Sequence, residues 1–94
     1  MERLIQMLKR RDDKADFLRD LIRLLLEDYE LYSEDVLFRD AVEEIYSGLR
    51  HLVIVEGRHE LLDAYELAVL LRASLSGGIP DRKALLRGIL EKLG

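Results

Sequence analysis

His51, Glu56, His59, Glu60 and Asp63 stand close together in the chain, and each can bind a metal or move a proton. His59 and Asp63 are four apart, so a helix would set them on one face. A zinc site needs three or four convergent ligands. His51 lies across Gly57, a residue suited to ending a helix. The expectation is therefore a pair of polar residues around a helix hairpin, with no metal site. The chain has no cysteine, which removes disulfides, thiolate metal sites and cysteine nucleophiles. Ser76-Gly77-Gly78-Ile79-Pro80 lacks the preceding strand and the Gly-Lys-Ser/Thr ending of a phosphate cradle. No catalytic residue and no cofactor are expected, and the chain reads as a non-enzyme.

Two groups of residues have binding chemistry instead. Arg82, Lys83, Arg87 and Lys92 could contact phosphates, and Lys83 and Arg87 share a helix face. Asp81 and Glu91 dilute that charge, and no aromatic residue stands among them to stack on a base. The other basic run, Lys9-Arg10-Arg11, is answered at once by Asp12 and Asp13. Tyr29 and Tyr32, at a helix end, are candidates for contact with a protein partner, because a ring with one polar atom suits an interface. Leu86, Ile89, Leu90 and Leu93 join them if the last helix is a dimerisation arm. Tyr46 and Tyr65 fall on apolar stripes and are expected in the core.

These residues need helices to place them. Leu4, Ile5 and Leu8 give a first helical face in Glu2–Lys9. Asp12 or Asp13 can cap a second helix running to about Leu31, with Phe17, Leu18, Leu21, Ile22, Leu24, Leu25, Leu26 and Tyr29 on its apolar stripe. Ser33, followed by Glu34 and Asp35, predicts the cap of a third helix starting at Glu34. Leu52–Val55 (LVIV) has the β-branched content of a strand, yet the helical spacing runs into it, and it is assigned to the helix. Gly57 closes that helix. A short connection to the next makes an antiparallel hairpin. Glu60–Leu75 is apolar on every side over Leu67–Leu71, which predicts a central buried helix. The last helix is expected over Pro80–Leu93, with proline in its first turn.

Composition bounds the class. At 94 residues the chain is one domain, 1–94. An apolar content of 49% supports a core and excludes a disordered chain. No run reaches the length of a membrane span, and the N-terminal residues lack a continuous apolar core for export. A cytoplasmic location follows as the default. The chain has no Asn or Thr and a single Gln, with 36% charged residues, which fits a thermophilic source. Residues 33–57 hold two basic and six acidic groups, within a net charge of −4. That acidic middle disfavours a protein that coats nucleic acid.

Leu52–Glu60 (LVIVEGRHE) resembles the first motif of Toprim domains, in which a buried strand ends in a Glu-Gly turn. The resemblance would give Glu56 a part in phosphoryl chemistry near metal, followed by Gly57. It spans nine residues, and the later Asp-x-Asp pair of that family has no counterpart after Glu60. Residues 34–94 are similar in element order to the helical A domain of GINS replication subunits, without a diagnostic motif.

The fold expected is all-α, a small antiparallel helical bundle of four to five helices. The function expected is a non-catalytic protein–protein interaction or adaptor module. It would be a homo-oligomer or a subunit with a protein partner, with no membrane involved. The alternative is an accessory nucleic-acid-binding protein using the basic face of the last helix.

Overall fold

The computed structural model describes residues 13–77 and 81–94. The expected helix at Glu2–Lys9 and the residues Gly78, Ile79 and Pro80 lie outside them. Among the described residues there is no strand, and no helix is long and apolar enough to cross a membrane.

Helix α1 spans Lys14–Glu27. Asp13 starts it: one carboxylate oxygen accepts from the Ala15 and Asp16 amides at 2.8 and 3.4 Å. Such a cap stabilises a helix by about 1 kcal/mol. Leu18, Leu21, Ile22 and Leu25 form its inner face and are fully buried. The helix stops before Leu31, at Asp28, whose backbone leaves helical geometry (φ −143°, ψ 67°). A single turn, α2 (Tyr29–Tyr32), follows. The break turns Tyr29 edge-on to Phe38, with ring centroids 6.1 Å apart.

Ser33 ends α2 instead of opening the next helix. Its hydroxyl donates to the Glu30 carbonyl at 3.4 Å. Asp35 holds the chain here, accepting from the Leu37 amide at 2.8 Å. Helix α3 therefore starts at Phe38, four residues later than the serine predicted, and runs to Arg50. Its buried residues Phe38, Ala41, Val42, Ile45 and Leu49 keep the expected spacing.

Leu52–Val55 does stay helical, as a widened π turn over His51–Val55. It does not form the strand that the Toprim-like motif would need. Gly57 takes a left-handed conformation (φ 70°), which costs glycine little. The Arg58 amide turns back to the Leu52 carbonyl at 2.9 Å. A 3₁₀ turn, His59–Leu61, leads into α4 (Leu62–Ala73). A second such turn, Ser74–Ser76, closes α4. Helix α5 spans Arg82–Leu93, starting after Asp81, whose carboxylate accepts from the Ala84 amide at 3.2 Å.

The four long helices run up, down, up and down. Each packs mainly on two neighbours in the cycle α1, α3, α4, α5. This is the antiparallel bundle the sequence indicates. It has no central helix, so the expectation for Glu60–Leu75 is corrected. Only Ala64, Ala68 and Leu71 of α4 are buried, while Leu62, Val69 and Leu70 are 44%, 42% and 51% exposed. In a cycle of four, every helix keeps one side toward solvent. Small alanines occupy much of the inner side of α4, and larger apolar side chains face out.

Arginine closes several helix ends. Arg19 of α1 reaches the Leu93 carbonyl at the end of α5 through Nε and Nη2, at 3.3 and 3.2 Å. Arg39 of α3 donates to the Leu75 carbonyl at 3.4 Å. Arg82 of α5 donates to the Ser74 carbonyl at 2.6 Å. The last carbonyls of a helix lack intrahelical partners and carry partial negative charge, so a cation there satisfies both needs. A planar fork with five donors does this across elements better than lysine.

Candidate interaction surface

The outer side of α4 is the candidate site. Leu62, Glu66, Val69 and Ala73 succeed one another in steps of four, three and four, and all are exposed. That spacing forms a stripe along one helix face. Leu70 and Asp63 flank it on one side, Tyr65 and Arg72 on the other. An apolar helix usually has both sides covered, whereas here the outer stripe meets water.

Beside the stripe lies a shallow groove of ≈ 350 Å³ between α3 and α4. Arg39, Glu43, Tyr46, Val69, Arg72 and Ser76 shape it. Arg72 donates from Nε to Glu43 at 2.9 Å. Its guanidinium lies 4.5 Å above the Tyr46 ring. Tyr46 in turn packs on Tyr65 at 5.9 Å between centroids. Tyrosine and arginine set around apolar side chains are the residue types that dominate binding energy at protein interfaces.

The phenols report on this packing. Tyr65 is held above the ordinary value of 10.0, first by hydrogen bonding with Tyr46 and then by burial. Tyr29 is also raised, chiefly by burial, although Arg82 beside it pulls the other way. A phenol whose folded pKa exceeds its unfolded one keeps its proton longer in the folded state. Its effect on stability is constant below pH 10 and turns unfavourable as the pH rises through that value. An absorbance titration of phenolate is expected to show two late components, removed in turn by Tyr29→Phe and Tyr65→Phe. A single common transition for all tyrosines would contradict these contacts.

The residues singled out from the sequence fall in several places. Tyr29 is half-buried under Phe38, with the Lys83 ammonium 6.0 Å from its ring centroid. Tyr32 packs partly against the core. Leu86, Ile89 and Leu93 are buried inside the bundle, and Leu90 is half-buried against it. Their side chains thus hold α5 to its own chain and do not form an arm.

The basic residues are dispersed. Arg82 binds Ser74, Lys83 pairs with Glu30 at 3.6 Å, and Lys92 pairs with Asp63 at 4.0 Å. Arg87 is exposed.

Around the hairpin, His51 meets Glu56 at 3.2 Å. Arg58 donates to Glu60 at 3.0 Å and holds its carboxyl below the usual range. Among the described residues, no three His, Asp or Glu side chains gather to share an ion.

Pattern reading missed Leu62, Val69, Leu70, Arg72 and Ala73 as surface residues. The signal was present in the all-round apolarity of Leu67–Leu71, once a four-helix cycle leaves each helix one open side. Comparison with protein-family models, curated proteins and solved structures finds no match to this chain.

Proposed function

We propose that the chain is a small non-catalytic interaction module, self-associating or a subunit of a larger complex, and that it engages protein through the outer face of α4. The observation that carries this is the exposure of Leu62, Val69 and Leu70 on one helix. Apolar side chains scattered singly over a surface need no explanation, but three on one short helix, with Val69 and Leu70 adjacent, support a contact site. The Tyr46–Arg72 stack at its edge supports the same reading. A cytoplasmic, thermophilic setting, inferred from composition, belongs to this proposal too. The nucleic-acid alternative gains nothing from the geometry, because Arg82, Lys83 and Lys92 are each held within the chain.

The test is affinity capture from the native host, with nuclease present, using wild-type, Val69→Asp and Val36→Asp baits. Val36 is 90% exposed and belongs to the loop before α3, not to the α4 stripe, so it serves as the control. The expected result is capture of a second protein, or of untagged copies of this one, by wild type and Val36→Asp but not by Val69→Asp. Identical capture by all three baits would overturn the proposal.

A further inference from the structure

Tyr46 of α3 and Tyr65 of α4 meet across the hairpin that these two helices form. Their ring centroids are 5.9 Å apart, with 37° between the ring planes. The two phenols interact through their hydroxyls, the contact that chiefly raises Tyr65. Among the described residues, which include all four tyrosines, no other two tyrosine rings meet, and Tyr29 packs on Phe38 instead. The chain has no Cys and no Trp. With tyrosine, those are the side chains that most readily give up a single electron. An oxidising equivalent that reaches this chain therefore settles on a tyrosine. We infer that Tyr46 and Tyr65 form a modification site, at which a peroxide acting by one-electron steps joins them as dityrosine and staples α3 to α4.

The chemistry balances within the pair and the oxidant. Each phenol gives up one electron and its hydroxyl proton and becomes a phenoxyl radical. The unpaired electron is shared with the ring carbons ortho to the oxygen. Two such radicals couple through a carbon–carbon bond between ortho positions, and each ortho hydrogen then leaves carbon as the oxygen regains a proton. The pair loses two electrons and two protons in all. The peroxide O–O bond takes them up and breaks, so that hydrogen peroxide ends as two waters.

The geometry favours this outcome over escape of the radicals. In the product the two hydroxyls stand side by side next to the new bond. The hydroxyl contact in the folded chain already presents neighbouring ortho carbons to each other, so the coupling is intramolecular and oriented. Both rings are half-buried, open enough for a small oxidant and packed enough to stay together. The Arg72 guanidinium, 4.5 Å from the Tyr46 ring centroid, opposes removal of an electron there. Glu43 holds that guanidinium at 2.9 Å and offsets much of its charge. A link between positions 46 and 65 also closes a loop in the unfolded chain, as a disulfide does. This inference stands apart from the interaction surface proposed above.

The test is oxidation of the purified chain, at low concentration, by a photo-excited ruthenium tris-bipyridyl complex with peroxydisulfate. The expected product is a monomer lighter by two hydrogens. Proteolysis and mass spectrometry should find the peptide holding Tyr46 joined to the one holding Tyr65. Tyr46→Phe and Tyr65→Phe keep the packed rings and should each lower the yield of intrachain dityrosine at least about tenfold. Tyr29→Phe and Tyr32→Phe should leave it unchanged. The linked chain should melt about 10 °C higher than the untreated one. Equal use of other tyrosine pairs, links formed mainly between copies, or oxidised tyrosines with no link between 46 and 65 would overturn the site. A link that leaves the melt unchanged would overturn its role as a staple.

Discussion

Replacing Leu18 with Ala lowers the free energy of unfolding by about 3–4 kcal/mol. For a chain of this size the melting temperature falls by roughly 15–30 °C. Leu18 is fully buried in α1 and faces α3 at Gly48. A Cβ added at Gly48 would stand 2.9 Å from Leu18 Cδ2 and 3.0 Å from Cδ1. Those distances are well inside van der Waals contact, so glycine is what lets α1 and α3 approach. Removing the leucine leaves a cavity that the two helices cannot fully close.

The reverse change is costly for the opposite reason. Gly48→Val overpacks the contact and destabilises by about 2–3 kcal/mol. In the Leu18→Ala background the valine enters the vacated space. The double variant is then more stable than the sum of the two losses by about 1–2 kcal/mol. Denaturant unfolding of the four proteins measures this coupling. Strict additivity would show that Leu18 and Gly48 do not set the spacing of α1 and α3.

Arg82→Ala is expected to cost about 2–3 kcal/mol, an unusual loss for a partly exposed cation. Arg82 donates from Nε to the Ser74 hydroxyl at 2.9 Å and from Nη2 to the Ser74 carbonyl at 2.6 Å. Ser74 is 1% exposed, and its hydroxyl donates to the Leu71 carbonyl at 2.6 Å. Without the guanidinium, the Ser74 carbonyl keeps only the long contact from the Gly77 amide, at 3.4 Å. Arg82→Lys recovers only part of the loss, because one ammonium does not reproduce the two-pronged contact. Arg87→Ala, on the same helix, should change stability by less than about 0.5 kcal/mol. Thermal melts of the three variants decide it. If Arg82→Ala were as harmless as Arg87→Ala, Arg82 would be a free surface cation, and the nucleic-acid reading would regain its strongest residue.

Much of the fold was legible because its signals are local. Asp13 sits before an apolar stripe and caps it. The stripes of α1 and α3 are clean, so period alone shows which side is buried. Gly57 marks the end of the α3 segment because only its left-handed backbone turns the chain there cheaply. The Ser33 prediction failed on chemistry that is equally local. Serine and aspartate both cap, and Asp35 makes the turn that the serine was expected to make.

The candidate surface was hidden for a different reason. Periodicity tells how many sides of a helix are apolar, but not how many neighbours it has. Leu67–Leu71 is apolar all round, and burial was the natural expectation. The cycle of four helices covers one side with Ala64, Ala68 and Leu71 and leaves Val69 and Leu70 outside. Period alone likewise leaves open whether Leu86, Ile89 and Leu93 face their own bundle or a partner, and the structure buries them in the bundle. The arginine caps were invisible because they act at long range. Arg19 and Leu93 are separated by nearly the whole chain, and no local pattern links them.

The central claim is that protein covers the outer face of α4. A photo-crosslinking residue placed at position 69 and, separately, at position 36 tests it in intact host cells. Both positions are exposed, so both probes sample their surroundings without disturbing the core. The account predicts a discrete crosslinked product from position 69 and none from position 36. Equal labelling at the two positions, or none at position 69, would contradict it.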